Sequence, residues 1–157
     1  MPEKSLAHTK WDCTYHIVFI PKYRRKVLYG DNRQKLLGII KRLCRDIDVE
    51  IVEGAMCPDH IHISLRIPPR LSVAYVMGYL KGKSALKLFD ENPGLRRLTG
   101  KDRTLWARGY YVSTVGINED VIRKYIKEQE EADQFGAADL GAFGVAAFSC
   151  LQVMVPF

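Results

Sequence analysis

From Ile61 to Leu65 the chain reads Ile-His-Ile-Ser-Leu, apolar and polar residues in strict alternation, and His60 extends the polar register by one step. A period of two is that of a β-strand, whose successive side chains point to opposite faces. His60 and His62 therefore project from one face while Ile61 and Ile63 enter a core. Trp11 to Ile20 alternates in the same way, with Trp11, Cys13, Tyr15, Ile17 and Phe19 in one register, and Pro21 ends it. Lys22-Tyr23-Arg24-Arg25-Lys26 reads as a basic turn leading into Val27-Leu28-Tyr29, and Gly30-Asp31-Asn32 supplies a stop and a cap. From Asn32 to about Asp48, apolar residues fall at 36, 37, 39, 40, 43, 44 and 47, which predicts an amphipathic helix with a basic outer face. Val49 to Met56 and Ile61 to Ile67 are two strands joined through Cys57-Pro58-Asp59, and Pro68-Pro69-Arg70 closes the second. Leu71 to Phe89 returns to helical spacing, residues 94–104 form a polar, arginine-rich loop, and Tyr110 to Val115 is the last strand. A final helix runs from Glu119 to about Gln134, with Asn118 as its N-cap and Ile117 stapled on Ile122.

The order strand, helix, strand, strand, helix, strand, helix predicts an α+β domain. It is the ferredoxin-like, RRM-like split βαβ sheet with one added C-terminal helix. The expected domain spans 1–135. Residues 136–157 form a tail of different character, apolar and rich in small residues, with Asp139 its only charge. Ser149, Gln152 and two glycines interrupt its apolar run, so packing on the body, pairing with a second subunit or a weakly ordered end is expected rather than a membrane span.

At 157 residues the chain has enough length for one real core without disulfide staples. Cys13, Cys44, Cys57 and Cys150 are scattered and form no CxxC pair; with no apolar leader at the N-terminus, the expected compartment is a reducing cytoplasm. The net charge is +6, and residues 1–47 hold eleven Lys/Arg against four Asp/Glu. Such asymmetry points to a polyanionic partner such as nucleic acid. Lys22, Arg24 and Arg25 in the basic turn, and Lys81, Lys83 and Lys87 on the second helix, are candidate contacts to a nucleic-acid backbone. Gly78-Tyr79-Leu80-Lys81-Gly82-Lys83-Ser84 has its glycines one position too close for a phosphate loop and lies inside a helical pattern, which excludes nucleotide hydrolysis there.

The chemistry centres on two imidazoles sharing a strand face. Tyr125 and Gln129 stand four residues apart on the last helix, so a phenol and a carboxamide share a helical face. Two imidazoles and an amide oxygen can hold a divalent ion with open positions for water and phosphate oxygens, and Tyr125 then lies beside it as a nucleophile. Cys57-x-x-His60 offers zinc-like spacing, but no clear motif supplies a further soft ligand, which favours Mg²⁺ or Mn²⁺.

The stretches HTKWDCTYHIVFIPKYRRKV, CPDHIHISLRIPP, VMGYLKGKSALKLF, GYYVSTVG and YIKEQEEAD together resemble the single-tyrosine HUH transposases of the insertion-sequence 200/605 group. The match runs from about Ser5 to Gln134 in consistent order. The resemblance implies that His60, His62 and Gln129 bind the divalent metal and that Tyr125 is the nucleophile. It further implies a homodimer acting on single-stranded DNA, with hairpins near the element's ends, and active sites that can combine the histidines of one subunit with the tyrosine helix of the other. The tail after Gly136 departs from the polar endings of the family. The expected reaction is cutting and rejoining of single-stranded DNA through a 5′-phosphotyrosine. Two rivals remain: a non-catalytic single-stranded nucleic-acid or hairpin-binding protein derived from such an enzyme, and a metal-dependent hydrolase in which Tyr125 is structural.

Overall fold

The computed structural model describes residues 4–6, 8–99, 104–114 and 119–136, with side chains at 8–99, 104–114, 120 and 123–131. Its elements run β1 (Lys4–Leu6), β2 (Thr9–Trp11), β3 (Thr14–Phe19), a 3-10 turn (Lys22–Arg24), α1 (Gly30–Asp46), β4 (Glu50–Cys57), β5 (His60–Arg66), α2 (Val73–Glu91), α3 (Leu95–Thr99), β6 (Tyr111–Ser113) and α4 (Glu119–Gly136). The main sheet has the order β4-β5-β3-β6, and every neighbouring pair is antiparallel. Each helical crossover, β3-α1-β4 and β5-α2-β6, skips one strand, which is the split βαβ topology the sequence predicts.

Alternation along the strands sorts the two sheet faces. Ile17 and Phe19 of β3, Met56 of β4, and Ile61, Ile63 and Leu65 of β5 meet Leu36, Ile39, Ile40 and Leu43 of α1 and Val76, Met77 and Leu80 of α2 in one buried core. Ser72 caps α2, its hydroxyl accepting from the Tyr75 amide at 3.0 Å. Trp106 closes one end of the core, edge-on to Phe19 with ring centroids 4.7 Å apart and its indole N–H donating to the buried Ser84 hydroxyl at 3.0 Å. Among the described residues no helix is long and apolar enough to cross a membrane.

Two local expectations need correction. Trp11 to Ile20 is not one strand: β2 pairs with β1 in a separate two-stranded sheet, whereas β3 begins at Thr14 in the main sheet. The chain changes sheets at Asp12–Cys13, where the Thr14 hydroxyl donates to the Asp12 carboxylate at 3.0 Å; the alternation runs unbroken through the crossing and hides it. The polar stretch 94–104 contains the short helix α3, anchored by the buried Leu95, whose carbonyl accepts from Thr99 Oγ1 at 3.2 Å. The cap at Asn118, the staple of Ile117 on Ile122 and the tail beyond Gly136 lie outside the residues or side chains described.

Candidate active site

β5 is the second strand of the four and is buried along its whole length. Its inward register is apolar, and its outward register is His60, His62, Ser64 and Arg66, all buried. Register places their neighbours: Cys57 and Ala55 of β4 lie opposite His60 and His62, while Val18 and His16 of β3 lie opposite His62 and Ser64. The sheet face turned away from α1 and α2 thus carries a polar ladder, unusual for a buried strand and in need of partners.

Those partners are specific. Asp59 Oδ1 lies 2.8 Å from His60 Nδ1. An ionised carboxylate only accepts, so Nδ1 holds the proton and Nε2 presents its lone pair. The other oxygen, Asp59 Oδ2, accepts from Arg24 Nε at 2.8 Å, and Arg24 Nη1 donates to Glu130 Oε2 of α4, also at 2.8 Å. Burial alone would raise the Asp59 carboxyl; the hydrogen bond and charge of His60, then Arg24, outweigh it and hold the group below the usual carboxylate value. Tyr23 and Arg24 reach this arrangement with φ of 58° and 50°, left-handed backbone in two consecutive non-glycine residues. Such residues store about 1–3 kcal/mol each and persist where surrounding contacts fix them. Here the turn is pinned by the Lys22 amide on the Leu105 carbonyl at 2.9 Å and by Arg25 Nη1 on the Thr99 carbonyl at 3.2 Å.

The last helix is docked on the same face. Ile126 of α4 packs with Val18, Ile20 and Ala107, and Tyr111 and Tyr125 border that patch. Val18 is the residue paired with both His62 and Tyr111, so one cross-strand row runs His62, Val18, Tyr111. The Tyr111 and Tyr125 rings follow at 5.9 Å between centroids, and Tyr125 Oη is buried. Gln129 is half-buried one turn further along α4, next to Glu130. Contacts at two points, Tyr125 to Tyr111 and Glu130 through Arg24 to Asp59, therefore bring the helix carrying Tyr125 and Gln129 against the strands carrying His60 and His62.

Chemically, the donor set suits a hard-to-borderline divalent ion. His62 Nε2 is buried with no hydrogen-bond partner among the described residues, which fits a nitrogen that serves as a ligand to a metal. Burial lowers the His62 pKa, His60 and His16 add to the shift and Glu53 opposes it, so the ring favours its neutral, ligating form. Among the described residues no cluster of three or more His, Cys, Asp or Glu side chains could hold a metal; Gln129, on the docked helix, carries a donor of another kind, an amide oxygen.

The cationic candidates divide. Lys81 is directed inward, its ammonium donating to the Ala107 and Gly109 carbonyls at 2.7 and 2.6 Å. Arg24 is bound to its two carboxylates. Lys22 and Arg25 lie over the Tyr23 ring at 5.3 and 4.8 Å, Lys83 is exposed, and Lys87 is half-buried. Asp59, His16 and Tyr111 were not singled out from the sequence. His16 falls in the register opposite Tyr15 and Ile17, and Asp59 directly precedes His60. His16 Nδ1 lies 2.7 Å from Ser64 Oγ on the polar face.

Fold and site define an α+β protein of ferredoxin-like topology whose open sheet face joins paired histidines to a tyrosine-bearing helix. Residues 9–129 match the family model described as "Transposase IS200 like". The chain belongs to the IS200-like transposase family, a family of DNA transposases. It is 52% identical over 134 residues to the transposase for insertion sequence element IS200 of Salmonella typhimurium, covering 85% of this chain and 88% of the relative. It is 31% identical over 121 residues to the ISDra2 transposase TnpA of Deinococcus radiodurans, covering 76% and 85%. The crystal structure of a candidate transposase from Deinococcus radiodurans superposes with a TM-score of 0.73 at 27% identity, covering 82% of this chain and 98% of the other. A REP-associated tyrosine transposase, solved bound to a REP hairpin, shares the fold with a TM-score of 0.50 at 18% identity, over 80% and 68% of the two chains.

Proposed function

We propose that this transposase cuts and rejoins single-stranded DNA by transesterification, with Tyr125 as nucleophile and His60, His62 and Gln129 as ligands of Mg²⁺ or Mn²⁺. The observation that carries this reading is the docking of the tyrosine helix on the sheet face where two buried imidazoles present ring nitrogens. A divalent ion, when bound there, supplies Lewis-acid polarisation of a non-bridging phosphate oxygen. Asp59 hydrogen-bonds His60 Nδ1 and so leaves Nε2 as the ligating nitrogen, and burial favours the neutral form of His62. Tyr125 gives up its phenolic proton and attacks phosphorus; the bond to the 3′-oxygen breaks, and that oxygen leaves as a hydroxyl after taking a proton. The DNA stays joined to the enzyme through its 5′-phosphate. Attack by another strand's 3′-hydroxyl reverses the step, restores the tyrosine and conserves the phosphodiester, so no ATP is needed.

The DNA partner we propose is single-stranded with hairpins at the element's ends; that a transposase of the same fold was solved bound to a REP hairpin supports a hairpin partner. Lys22, Arg25, Lys83 and Lys87 are the basic side chains proposed to meet its backbone. A homodimer is also proposed. The eight-residue strand β4 stands at one edge of the main sheet, where a second chain could pair.

Labelled oligonucleotides carrying the element's own ends, incubated with Mn²⁺ or EDTA and resolved on denaturing gels, test the proposal. A covalent protein–DNA band that needs Mn²⁺ and is lost in Tyr125→Phe is expected. Metal-dependent cutting that survives Tyr125→Phe would identify a hydrolase. Binding without any cutting would identify a hairpin-binding descendant.

A further inference from the structure

Glu130, Arg24, Asp59 and His60 form an unbroken chain with every link at 2.8 Å. Its ends lie on different elements, Glu130 on the tyrosine helix α4 and His60 on β5. Its middle lies on a turn with two left-handed non-glycine residues, a conformation that needs a reason. The guanidinium uses Nε for one carboxylate and Nη1 for the other, so a planar fork spans two elements as a single point charge cannot. Asp59 is 2% exposed at its side chain, Arg24 13% and Glu130 30%, so the link at the histidine end is desolvated and the link at the helix end is open to water.

We infer that Arg24 is a positioning residue that latches the tyrosine helix to the metal-binding histidine, through Glu130 on one side and Asp59 on the other. The inference rests on the proposed use of His60 and Tyr125. It gives Arg24 a role inside the protein in place of contact with the DNA backbone. Two properties follow. Loss of Arg24 frees α4 and leaves the His60 ring less firmly oriented. Metal binding and helix docking are coupled, so a change at Glu130 alters metal affinity although its carboxylate touches neither histidine; by linkage, metal tightens the helix. Gln129 offers metal a second route to the helix, which the experiment must separate.

Hydrogen–deuterium exchange on the metal-free protein reads the latch without DNA or activity. In Arg24→Gln and in Glu130→Gln, amides of α4 are expected to exchange at least about tenfold faster while those of β3 and β5 are unchanged, and the double variant is expected to add nothing further. Arg24→Lys, which keeps the charge and loses the fork, is expected not to restore α4. Mn²⁺ affinity by calorimetry is expected to fall roughly 10–100-fold in Arg24→Gln, the range for losing support of a metal-bound histidine. In a Gln129→Ala background, Mn²⁺ should still slow exchange of α4 and should cease to do so when Glu130→Gln is added. Unchanged α4 exchange, additive single effects, or full restoration by lysine would overturn the latch. Should Arg24→Gln fail to fold, Glu130→Gln alone decides the helix arm. If the wild type forms its DNA adduct and Arg24→Gln forms it equally, the latch fails and the nucleophile stands; if no adduct forms but the exchange effects appear, the latch stands without the transposition chemistry.

Discussion

Ile126→Ala is expected to undock the tyrosine helix and leave the sheet, with its buried histidines, folded. Ile126 is 4% exposed and packs on Val18, Ile20 and Ala107, a patch separate from the core that α1 and α2 share with the sheet. Removing its three outer carbons forfeits about 2.4 kcal/mol of transfer energy at roughly 0.8 kcal/mol per carbon. The unfilled space brings the usual loss for such a truncation to about 2–5 kcal/mol. The described contacts of α4 also include one tilted ring pair, Tyr111 with Tyr125, worth about 0.5–1.5 kcal/mol beyond its area, and the Glu130–Arg24 ion pair, partly open to water. A loss near 3 kcal/mol multiplies the undocked population by about a hundredfold. Exchange mass spectrometry should therefore show α4 peptides losing protection while peptides of β3 and β5 keep theirs, the melting temperature should barely move, and adduct formation should fall with the helix. A single cooperative loss, with β5 exchange rising alongside α4, would refute the separate docking of this helix.

Ser84→Ala leaves the buried Trp106 indole N–H without its acceptor and is expected to lower stability by about 1–3 kcal/mol in urea unfolding; a neutral result would show that the bond contributes nothing. Burial pushes the Cys44 thiol up to about 12, so at pH 8.5 it should resist alkylation until the protein unfolds, and labelling of native Cys44 at the rate of a free thiol would contradict its buried state. Burial pulls the Lys81 amine down to about 8 from 10.5. Below pH 8 both folded and unfolded chains hold that proton and the folded state bears the desolvation in full. Between pH 8 and 10.5 the unfolded chain binds more protons, so this contribution to stability rises with pH. Relative to Lys81→Met, the wild type should gain stability across that interval; a difference that is flat or falls with pH would mean that the two carbonyls hold the ammonium fully charged.

What the sequence revealed depended on whether the signal was local. The alternation around His60 and His62 identified a strand and its polar face, because a period of two needs only neighbouring residues. Tyr125 and Gln129 were visible as one helical face for the same reason. Arg24 and Lys81 were different: their charges suggested a nucleic-acid backbone, while the acceptors they reach lie 35 and 106 positions away for Arg24 and 26 and 28 for Lys81. Formal charge does not name its partner, and packing does. The hairpin of β1 and β2 escaped because alternation continues through Asp12–Cys13 while the hydrogen-bond partner changes. α3 escaped because one buried leucine among arginines gives no period to read.

Digesting the protein–DNA adduct with protease and nuclease, then sequencing the modified peptide by mass spectrometry, tests the central claim most directly. The expected product is a peptide of α4 with a nucleotide joined through its 5′-phosphate to Tyr125, formed with Mn²⁺ and absent with EDTA. A nucleotide on another residue, a 3′-linkage, or cleaved DNA with no modified peptide would contradict the assignment of Tyr125 as nucleophile.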